Sequence, residues 1–316
     1  MFPDRLHVRI RRTRSVQPHL PYAETDLTDM CTIAPLHTQL LKWIGNKQRF
    51  APEIVAAFPR QFATYREPFL GSGAVLASLA PDKGVGSDVF KPLIEIWQAL
   101  KADPELPVGW YEERWKQSQR DGKDVGYEAV KASYNRFPNG PDLLYLCRTC
   151  YGGVVRFRKT DGYMSTPCGP HKPVSPTAFR KRAQEWHRRL RHVDFVLADY
   201  QQAMAAAKPG DLIYCDPPYV DTQAILYGAQ SFSIRRLLEV ITDCKNRGVY
   251  VALSIDGTKR SGEKICDVPI PGGLFESDVS INCGRSMLRR FQMHGQTLER
   301  EVVADRLLLT YTPGAD

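Results

Sequence analysis

The sequence predicts a three-layer α/β fold built on an open sheet, and three observations lead to this prediction. Apolar runs of strand length alternate with helical segments before residue 103 and again after residue 193. A glycine turn, Gly71-Ser72-Gly73, follows one of these runs and precedes a helix. A second apolar run, at 212–215, stops at two prolines, which cannot continue a strand ladder.

The composition indicates a globular protein with a polyanionic partner. The 316 residues suffice for one large domain or two, and 43% hydrophobic with 25% charged residues is ordinary for a soluble chain. No apolar run approaches the 18 residues of a membrane span, and no secretory signal is visible. The net charge of +8 favours a polyanion. Eight scattered cysteines fit free thiols in a reducing compartment better than a disulfide framework.

The first third of the chain contains the first strands and helices. Residues 1–30 mix charge and proline without a period, so we expect a tail that either brushes DNA or has no role. A loop and a helix follow over 36–58. A strand then runs into Glu67-Pro68-Phe69 and the glycine turn, with a helix over 74–79, a second strand over 83–88 and a helix over 91–102.

The glycine turn and the end of the second strand have the features of a cofactor site. Gly71 and Gly73 can adopt positive φ and let a ligand approach the backbone, and the following helix presents free N–H groups to a carboxylate. Asp88 ends the second strand 15 residues after Gly73, a place that suits a ribose diol. The alternative for Asp88 is a helix N-cap for the segment 91–102.

The segment Asp216-Pro217-Pro218-Tyr219 places a carboxylate, rigid carbonyls and an aromatic ring at the carboxyl end of a strand, where open α/β sheets bind ligands. The exocyclic amino group of a planar base fits this corner, because its two N–H bonds can point at Asp216 and a backbone carbonyl while Tyr219 stacks on the ring. The alternative is a strand-terminating turn with a solvated aspartate.

Residues 103–194 interrupt the alternation of strands and helices. The first half of this insert is helical in pattern, and the second half has short strands with a hairpin turn at Asp161-Gly162. Residues 148–191 hold eleven lysines and arginines against two acids, with Tyr151, Phe157 and Tyr163 interleaved, as expected for duplex DNA binding. For the basic run 180–191 we expect phosphate contacts; the alternative is a solvated helix face.

These motifs together resemble one family. Asp216-Pro217-Pro218-Tyr219 after a strand is similar to the catalytic motif of amino methyltransferases that modify adenine N6 or cytosine N4. With the segments 40–47 and 67–73, it resembles the Dam-type (D12, alpha-class) site-specific DNA adenine-N6 methyltransferases over roughly residues 36–312. The resemblance implies a Rossmann-like, S-adenosylmethionine-dependent methyltransferase sheet with an inserted helical plus β-hairpin target-recognition domain.

The resemblance implies a division of the chain and a role for individual residues. Residues 31–102 and 195–316 would form the catalytic domain, 103–194 the DNA-binding insert and 1–30 a flexible tail. The implied catalytic residues are Asp216, Pro217, Pro218 and Tyr219. The implied cofactor-binding residues are Trp43, Lys47, Glu67, Pro68, Phe69, Gly71, Gly73, Asp88, Asp199 and Tyr200. The implied DNA-binding residues are Arg148, Tyr151, Arg156, Arg158, Lys159 and Pro167. Ser254 resembles a further pocket residue.

In the insert, the resemblance makes Arg156 the reader of a guanine, since a guanidinium pairs with O6 and N7 together. Tyr151 would wedge at a base flipped out of the duplex. Gly152 and Ser165 stand where the family commonly has asparagine. The implied target is therefore GATC or a related short site in double-stranded DNA.

Several alternatives remain open from the sequence. They are a cytosine-N4 methyltransferase, an RNA substrate and a catalytically silent DNA-binding protein; an oxidoreductase is disfavoured because the glycine turn does not continue as G-x-G-x-x-G. We predict no metal, although Cys147 and Cys150 with Cys168 and His171 could supply zinc ligands. We expect a monomer in the cytoplasm of a bacterium or phage-infected cell, at the nucleoid, with a possible cognate restriction nuclease.

Overall fold

The computed structural model describes residues 36–158, 160–218, 232–255, 270–282 and 304–313. A seven-stranded sheet runs through it in the order β3-β2-β1-β4-β5-β7-β6. The strands are β1 Tyr65–Glu67, β2 Gly84–Asp88, β3 Val193–Leu197, β4 Leu212–Cys215, β5 Tyr250–Ile255, β6 Ser277–Asn282 and β7 Ala304–Leu309. The first five are parallel to one another, whereas β7 is antiparallel to both β5 and β6.

The helices cover both faces of the sheet, which gives the predicted three layers. They are α1 Ala51–Ala56, α2 Ala74–Leu79, α3 Lys91–Ala102, α4 Glu105–Asp121, α5 Lys123–Arg136, α6 Gly140–Thr149, α7 Pro176–Leu190, α8 Tyr200–Ala205 and α9 Ile234–Asn246. One core contains α1–α7 and centres on Trp97 and Trp186, whose rings stack 5.6 Å apart. The other lies under α8 and α9. Parallel strands need apolar residues on both faces, and all four residues of β4 are buried.

The order of the strands creates a switch point between β1 and β4. From β1 the chain moves outward to β2 and β3, and it then returns to place β4 on the other side of β1. Tyr65 pairs with Leu212 in parallel, so both strands end at the same edge of the sheet. Crevices at such points are where open α/β sheets bind ligands.

The insert joins α3 to β3 and consists of α4–α7 with a hairpin between α6 and α7. The hairpin prediction is confirmed: Phe157 and Met164 form an antiparallel bridge, and Gly162 has φ 68° in the turn. Asn135 at the end of α5 holds the second strand, because its amide accepts from the N–H of Met164 and donates to the carbonyl of the same residue.

The predicted helices over 74–79 and 91–102 are confirmed. One boundary differs from the prediction. β3 begins at Val193, so the expected division between residues 194 and 195 falls inside a strand. β6 forms the edge of the sheet, beyond β7. The sequence analysis did not predict β6, since this strand mixes apolar and polar residues and pairs with only one neighbour. The expected tail, residues 1–30, lies outside the described residues.

Among the described residues, no helix is both long enough and apolar enough to cross a membrane.

The contact between α4 and α5 predicts a pair of opposite stability changes. A Cβ added at Gly126 would lie 2.6 Å from Cα of Ser118, whose hydroxyl bonds the Tyr145 hydroxyl in the buried core. Gly126→Ala should therefore lower the free energy of unfolding by about 1–3 kcal/mol. The matched control Gly109→Ala, in α4 with open space around it, should raise stability by about 0.5–1 kcal/mol. Urea unfolding measures both, and equal effects would contradict the tight crossing.

Candidate active site

A cavity of about 330 Å³ opens at the switch point, at the carboxyl ends of β1, β2 and β4. It receives residues from the 36–50 loop, from the glycine turn and from the starts of α8 and α9. The residues that the sequence singled out and that line it are Trp43, Lys47, Glu67, Pro68, Phe69, Gly71, Asp88, Asp199, Tyr200, Asp216 and Pro218. Segments far apart in the chain thus converge on one site.

The two glycines of the turn have different roles. Gly71 has φ 46°, and a Cβ there would lie 3.2 Å from Cδ1 of Trp43, so a side chain would push the indole out of the cavity wall. Gly73 also has positive φ, but its absent Cβ would meet the Trp97 ring at 3.3 Å. It is not among the lining residues, so Gly73 permits core packing rather than ligand approach.

Asp88 lies at the end of β2 and accepts hydrogen bonds from the backbone of the glycine turn and from the residue that precedes α3. Its carboxylate accepts the N–H of Gly71 at 3.2 Å and that of Phe90 at 3.0 Å. The N-cap of α3 is Phe90, so the N-cap alternative for Asp88 is not what the structure contains. Burial raises the pKa of Asp88 to about 6, although the backbone N–H bonds act in the opposite direction.

An aromatic wall lies on the side of α8. The ring of Phe69 stacks on Tyr200, with centroids 5.2 Å apart, and Phe232 packs edge-on against both. Asp199 is the N-cap of α8 and accepts the N–H of Gln201 at 2.8 Å, so the cap alternative and a place in the cavity wall hold together.

The lining residues that the sequence reasoning missed include Phe232, Ser233 and Arg236. Ser233 is the N-cap of α9, and Arg236 donates to the side chain of Gln201 on the neighbouring helix. The sequence signal that could have identified them is a serine at the N-cap of the helix that follows β4.

Lys47 and Asp216 form the central ion pair of the cavity. Nζ of Lys47 lies 2.8 Å from Oδ1 of Asp216, and the lysine is only 6% exposed. Its ammonium also lies 3.4 Å from the carbonyl oxygen of Gly45. The sequence placed Lys47 among the cofactor residues, whereas the structure additionally brings it into contact with the predicted catalytic carboxylate.

Glu67 lies beside this pair, at the end of β1. It is 3% exposed and accepts a hydrogen bond from the hydroxyl of Tyr65 at 2.9 Å. Burial raises the pKa of Glu67 to about 8; the Tyr65 hydroxyl lowers it, and the nearby charge of Asp216 raises it again. Glu67 therefore holds a proton near neutral pH more readily than an ordinary glutamate.

The end of β4 is described as far as Pro218. Asp216 and Pro218 line the cavity, whereas Pro217 is buried and is not among the lining residues. Tyr219 lies outside the described residues. Ser254 on β5 does not line the cavity; its hydroxyl bonds that of Tyr214 at 2.8 Å and so supports a cavity residue from behind.

The predicted DNA-binding residues of the hairpin differ in their exposure and in their hydrogen bonds. Tyr151, Arg156 and Pro167 are exposed, and Tyr151 is 47% exposed. Arg158 pairs with Asp161 through two hydrogen bonds, and its guanidinium lies 4.3 Å from the centroid of the Tyr163 ring. Lys159 lies outside the described residues.

Arg148 does not reach this surface, and its assignment to DNA binding is wrong in this structure. The residue is 5% exposed, and its guanidinium donates to the carbonyls of Gln39 and Leu40. It lies over the ring of Phe179, so it ties the 36–50 loop to α7.

Part of the basic run 180–191 pairs within the chain, and phosphate contacts along this run stay a prediction. Arg180 pairs with Glu105, and Arg188 pairs with Glu185. Arg189 is buried, pairs with Glu185 and donates to the carbonyl of Ala77. With Arg158, four of the eleven basic residues counted over 148–191 therefore pair with acids of the same chain.

Within the described ranges, no group of three or more His, Cys, Asp or Glu residues gathers as metal ligands would. Cys147 and Cys150 are buried at the end of α6, and burial raises the pKa of the Cys147 thiol to about 12.

Comparison with known proteins identifies the family. A family model described as D12 class N6 adenine-specific DNA methyltransferase matches residues 43–270, from the tryptophan of the cavity wall to the loop before β6. This chain belongs to that family. It is accordingly a DNA methyltransferase specific for adenine N6, with the Rossmann-like sheet of its class, and the cytosine-N4 alternative is not favoured.

Three relatives that are named as a methyltransferase or as DNA adenine methylases agree with this family assignment. The type II methyltransferase M1.LlaDCHI of Lactococcus lactis subsp. cremoris is 26% identical over 231 residues, covering 67% of this chain and 79% of that protein. The retron Ec67 DNA adenine methylase of Escherichia coli is 28% identical over 192 residues, covering 58% and 64%. A DNA adenine methylase of Vibrio cholerae is 26% identical over 227 residues, covering 68% and 79%.

Glu67 gives the methyltransferase a predicted pH dependence of stability. Between about pH 4.5 and 8 the unfolded chain has lost the Glu67 proton while the folded chain keeps it, so the contribution of Glu67 to stability falls as pH rises. Glu67→Gln imitates the protonated form and should remove this part of the slope. Thermal midpoints measured from pH 5 to 9 test the difference, with exposed Glu53→Gln as the control. Parallel curves for wild type and Glu67→Gln would contradict it.

Proposed function

We propose that this adenine-specific DNA methyltransferase transfers a methyl group from S-adenosylmethionine to N6 of an adenine flipped out of duplex DNA. The target we propose is GATC or a related short site. The observation that carries the proposal is Asp216 at the end of β4, held by Lys47 at the mouth of a cavity with an aromatic wall.

The residues of the cavity fit S-adenosylmethionine. Glycine at 71 leaves the space beside the Trp43 indole that a Cβ would fill, so a flat ring or a thin chain can approach the backbone there. Asp88 offers carboxylate oxygens suited to a ribose diol. When bound, this cofactor supplies a methyl group on positively charged sulfur.

Asp216 would act on the target amine. Its carboxylate can accept one N6 hydrogen, and the Pro217 carbonyl, which follows it in the chain, can accept the other. Both acceptors orient the nitrogen lone pair and stabilise the positive charge that develops on nitrogen as the new bond forms. Lys47 holds Oδ1 at 2.8 Å, which fixes the carboxylate plane before the adenine arrives.

The adenine must leave the duplex to reach this corner, at a cost of a few kcal/mol of stacking and pairing. Tyr219, the residue after Pro218, would stack on the extruded base, and exposed Tyr151 would fill the gap in the duplex. Arg156 would read a guanine in the major groove. None of the residues that the structure describes pairs with its guanidinium, which leaves it available for a base.

The division into a catalytic part, residues 31–102 and 195–316, and a DNA-binding insert, 103–194, remains part of the proposal. So do a monomeric state and a cognate restriction nuclease.

Incubation of plasmid DNA with the protein and S-adenosylmethionine, followed by sequencing with detection of modified bases, tests the reaction directly. N6-methyladenine in one short motif would support it; unmodified adenine throughout would contradict it.

Removal of the catalytic carboxylate gives the sharpest prediction for the chemistry. Asp216→Ala should abolish methylation, and Asp216→Asn, which preserves the shape, should slow it about 100-fold or more, because the developing charge loses its counterion. Cofactor binding, followed by calorimetric titration, should persist in Asp216→Asn. The control is Asp243→Asn on α9, which does not line the cavity. A fully active Asp216→Asn enzyme would overturn the assignment.

Arg156 and Arg158 form a matched pair for recognition. Arg156→Ala should relax the preference at one base pair by about 1–3 kcal/mol, because a bidentate contact to guanine is lost. Arg158→Ala should leave the site preference unchanged, because this guanidinium already bonds Asp161. Methylation rates on a panel of single-base-pair variants of the site measure both. An unchanged preference in Arg156→Ala would show that another residue reads the base.

A further inference from the structure

The two strands of the recognition hairpin pair in two different registers. Cys150 bridges Cys168 at the base of the hairpin, and Phe157 bridges Met164 near its tip. Seven residue steps separate the two bridges on the first strand, but only four on the second. The first strand absorbs its three extra residues in a 3₁₀ turn over Tyr151–Gly153. The ladder is therefore interrupted immediately before Arg156.

The interruption leaves Arg156 with half of its ladder pairing. In a regular hydrogen-bonded pair, Arg156 and Ser165 would exchange two backbone bonds. The N–H of Ser165 does reach the carbonyl of Arg156 at 2.9 Å. The N–H of Arg156 instead bonds Oγ1 of Thr166 at 2.9 Å, and the same hydroxyl donates to the carbonyl of Val154 at 2.8 Å. One hydroxyl thus spans the irregular stretch and replaces the missing ladder partners.

Thr166 is itself held firmly. It is 4% exposed, and its carbonyl accepts the buried hydroxyl of Tyr127 on α5 at 2.8 Å. Two residues earlier, Asn135 of the same helix bonds both backbone groups of Met164. The second strand is therefore fixed to the helices, and Thr166 transmits that fixed position to the backbone of Arg156.

Within the described part of the chain, no ion pair or hydrogen bond orients the side chain of Arg156. Arg158, two residues on, is oriented by Asp161 and the Tyr163 ring. Arg156 is exposed, and the described residues offer its guanidinium no ion pair or hydrogen bond. The direction in which it leaves the hairpin is therefore determined by its backbone, and a bidentate contact to a base tolerates little error in that direction.

We infer that Thr166 is a positioning residue for sequence recognition: its hydroxyl sets the backbone from which Arg156 reads a base pair. The inference rests on the proposed role of Arg156. It assigns control over the fidelity of the target site to a buried threonine that is not among the residues lining the cavity.

The test compares Thr166→Val, which keeps the shape and removes both hydrogen bonds, with Thr166→Ser, which keeps the hydroxyl. Thr166→Ala repeats the loss of the hydroxyl without the risk of a steric clash. The full chain is assayed for methylation of the site and of its single-base-pair variants, and thermal midpoints and cofactor affinity are recorded for each protein. Arg156→Ala and the double variant Arg156→Ala/Thr166→Val complete the cycle.

We expect Thr166→Val and Thr166→Ala to lose discrimination by a factor of about 10 or more at the base pair affected by Arg156→Ala, and at no other. Thr166→Ser should retain it. The double variant should discriminate no worse than Arg156→Ala alone, because the positioned group is already gone.

A uniform change in rate across all sites, or an additive loss in the double variant, would overturn the inference and leave Thr166 a purely structural residue. Unchanged discrimination in both Thr166→Val and Thr166→Ala would overturn it as well. If Arg156→Ala itself leaves the preference unchanged, the proposed reading role of Arg156 fails, which is a separate outcome that also removes the basis for Thr166.

Discussion

The parallel pairing of β1 with β4 is the constraint on which the site depends. It places the ends of both strands at one edge of the sheet, so the buried Glu67 and the partly buried Asp216 lie side by side in one crevice. Two carboxylates in such a place repel each other and are poorly solvated. Two features reduce this repulsion. Lys47 pairs with Asp216, and the raised pKa of Glu67 lets this group keep a proton. Of the two carboxyl groups, Glu67 is therefore the one whose pKa is raised, and Asp216 is the one paired with an ammonium.

The remaining walls of the cavity depend on packing behind them. Gly73 lets α2 approach Trp97, which stacks between Trp186 and Phe195, and this core supports the turn that carries Gly71. Arg148, buried between α6 and α7, holds the carbonyls of the loop from which Trp43 and Lys47 project. The insert therefore contributes to the cavity as well as to the proposed DNA surface, because its helices fix the first segment of the catalytic site.

Charge in the insert is divided between structure and function. Arginines on α7 bond acids and carbonyls of their own chain, and exposed ion pairs of this kind contribute little to stability. They nevertheless remove side chains from the set available to phosphates. Arg156 is left without such a partner among the described residues, and the hydroxyl of Thr166 supplies its orientation through the backbone. A side chain that recognises a base needs both an available guanidinium and a backbone held in one position.

The sequence by itself determined the α/β class, the glycine turn before α2 and the strand that ends before Asp216, because these depend on local features: apolar runs, glycines at positive φ and prolines that end a strand. Gly71 and Asp88 could be placed in the site for that reason. Only the tertiary structure decided which charges meet. Lys47 and Asp216 are 169 residues apart in the chain, and the burial of Arg148 and Arg189 depends on partners in distant segments. The edge strand β6 and the role of Thr166 were equally hidden, because each depends on the register of a neighbouring strand, which the residues of a segment do not encode alone.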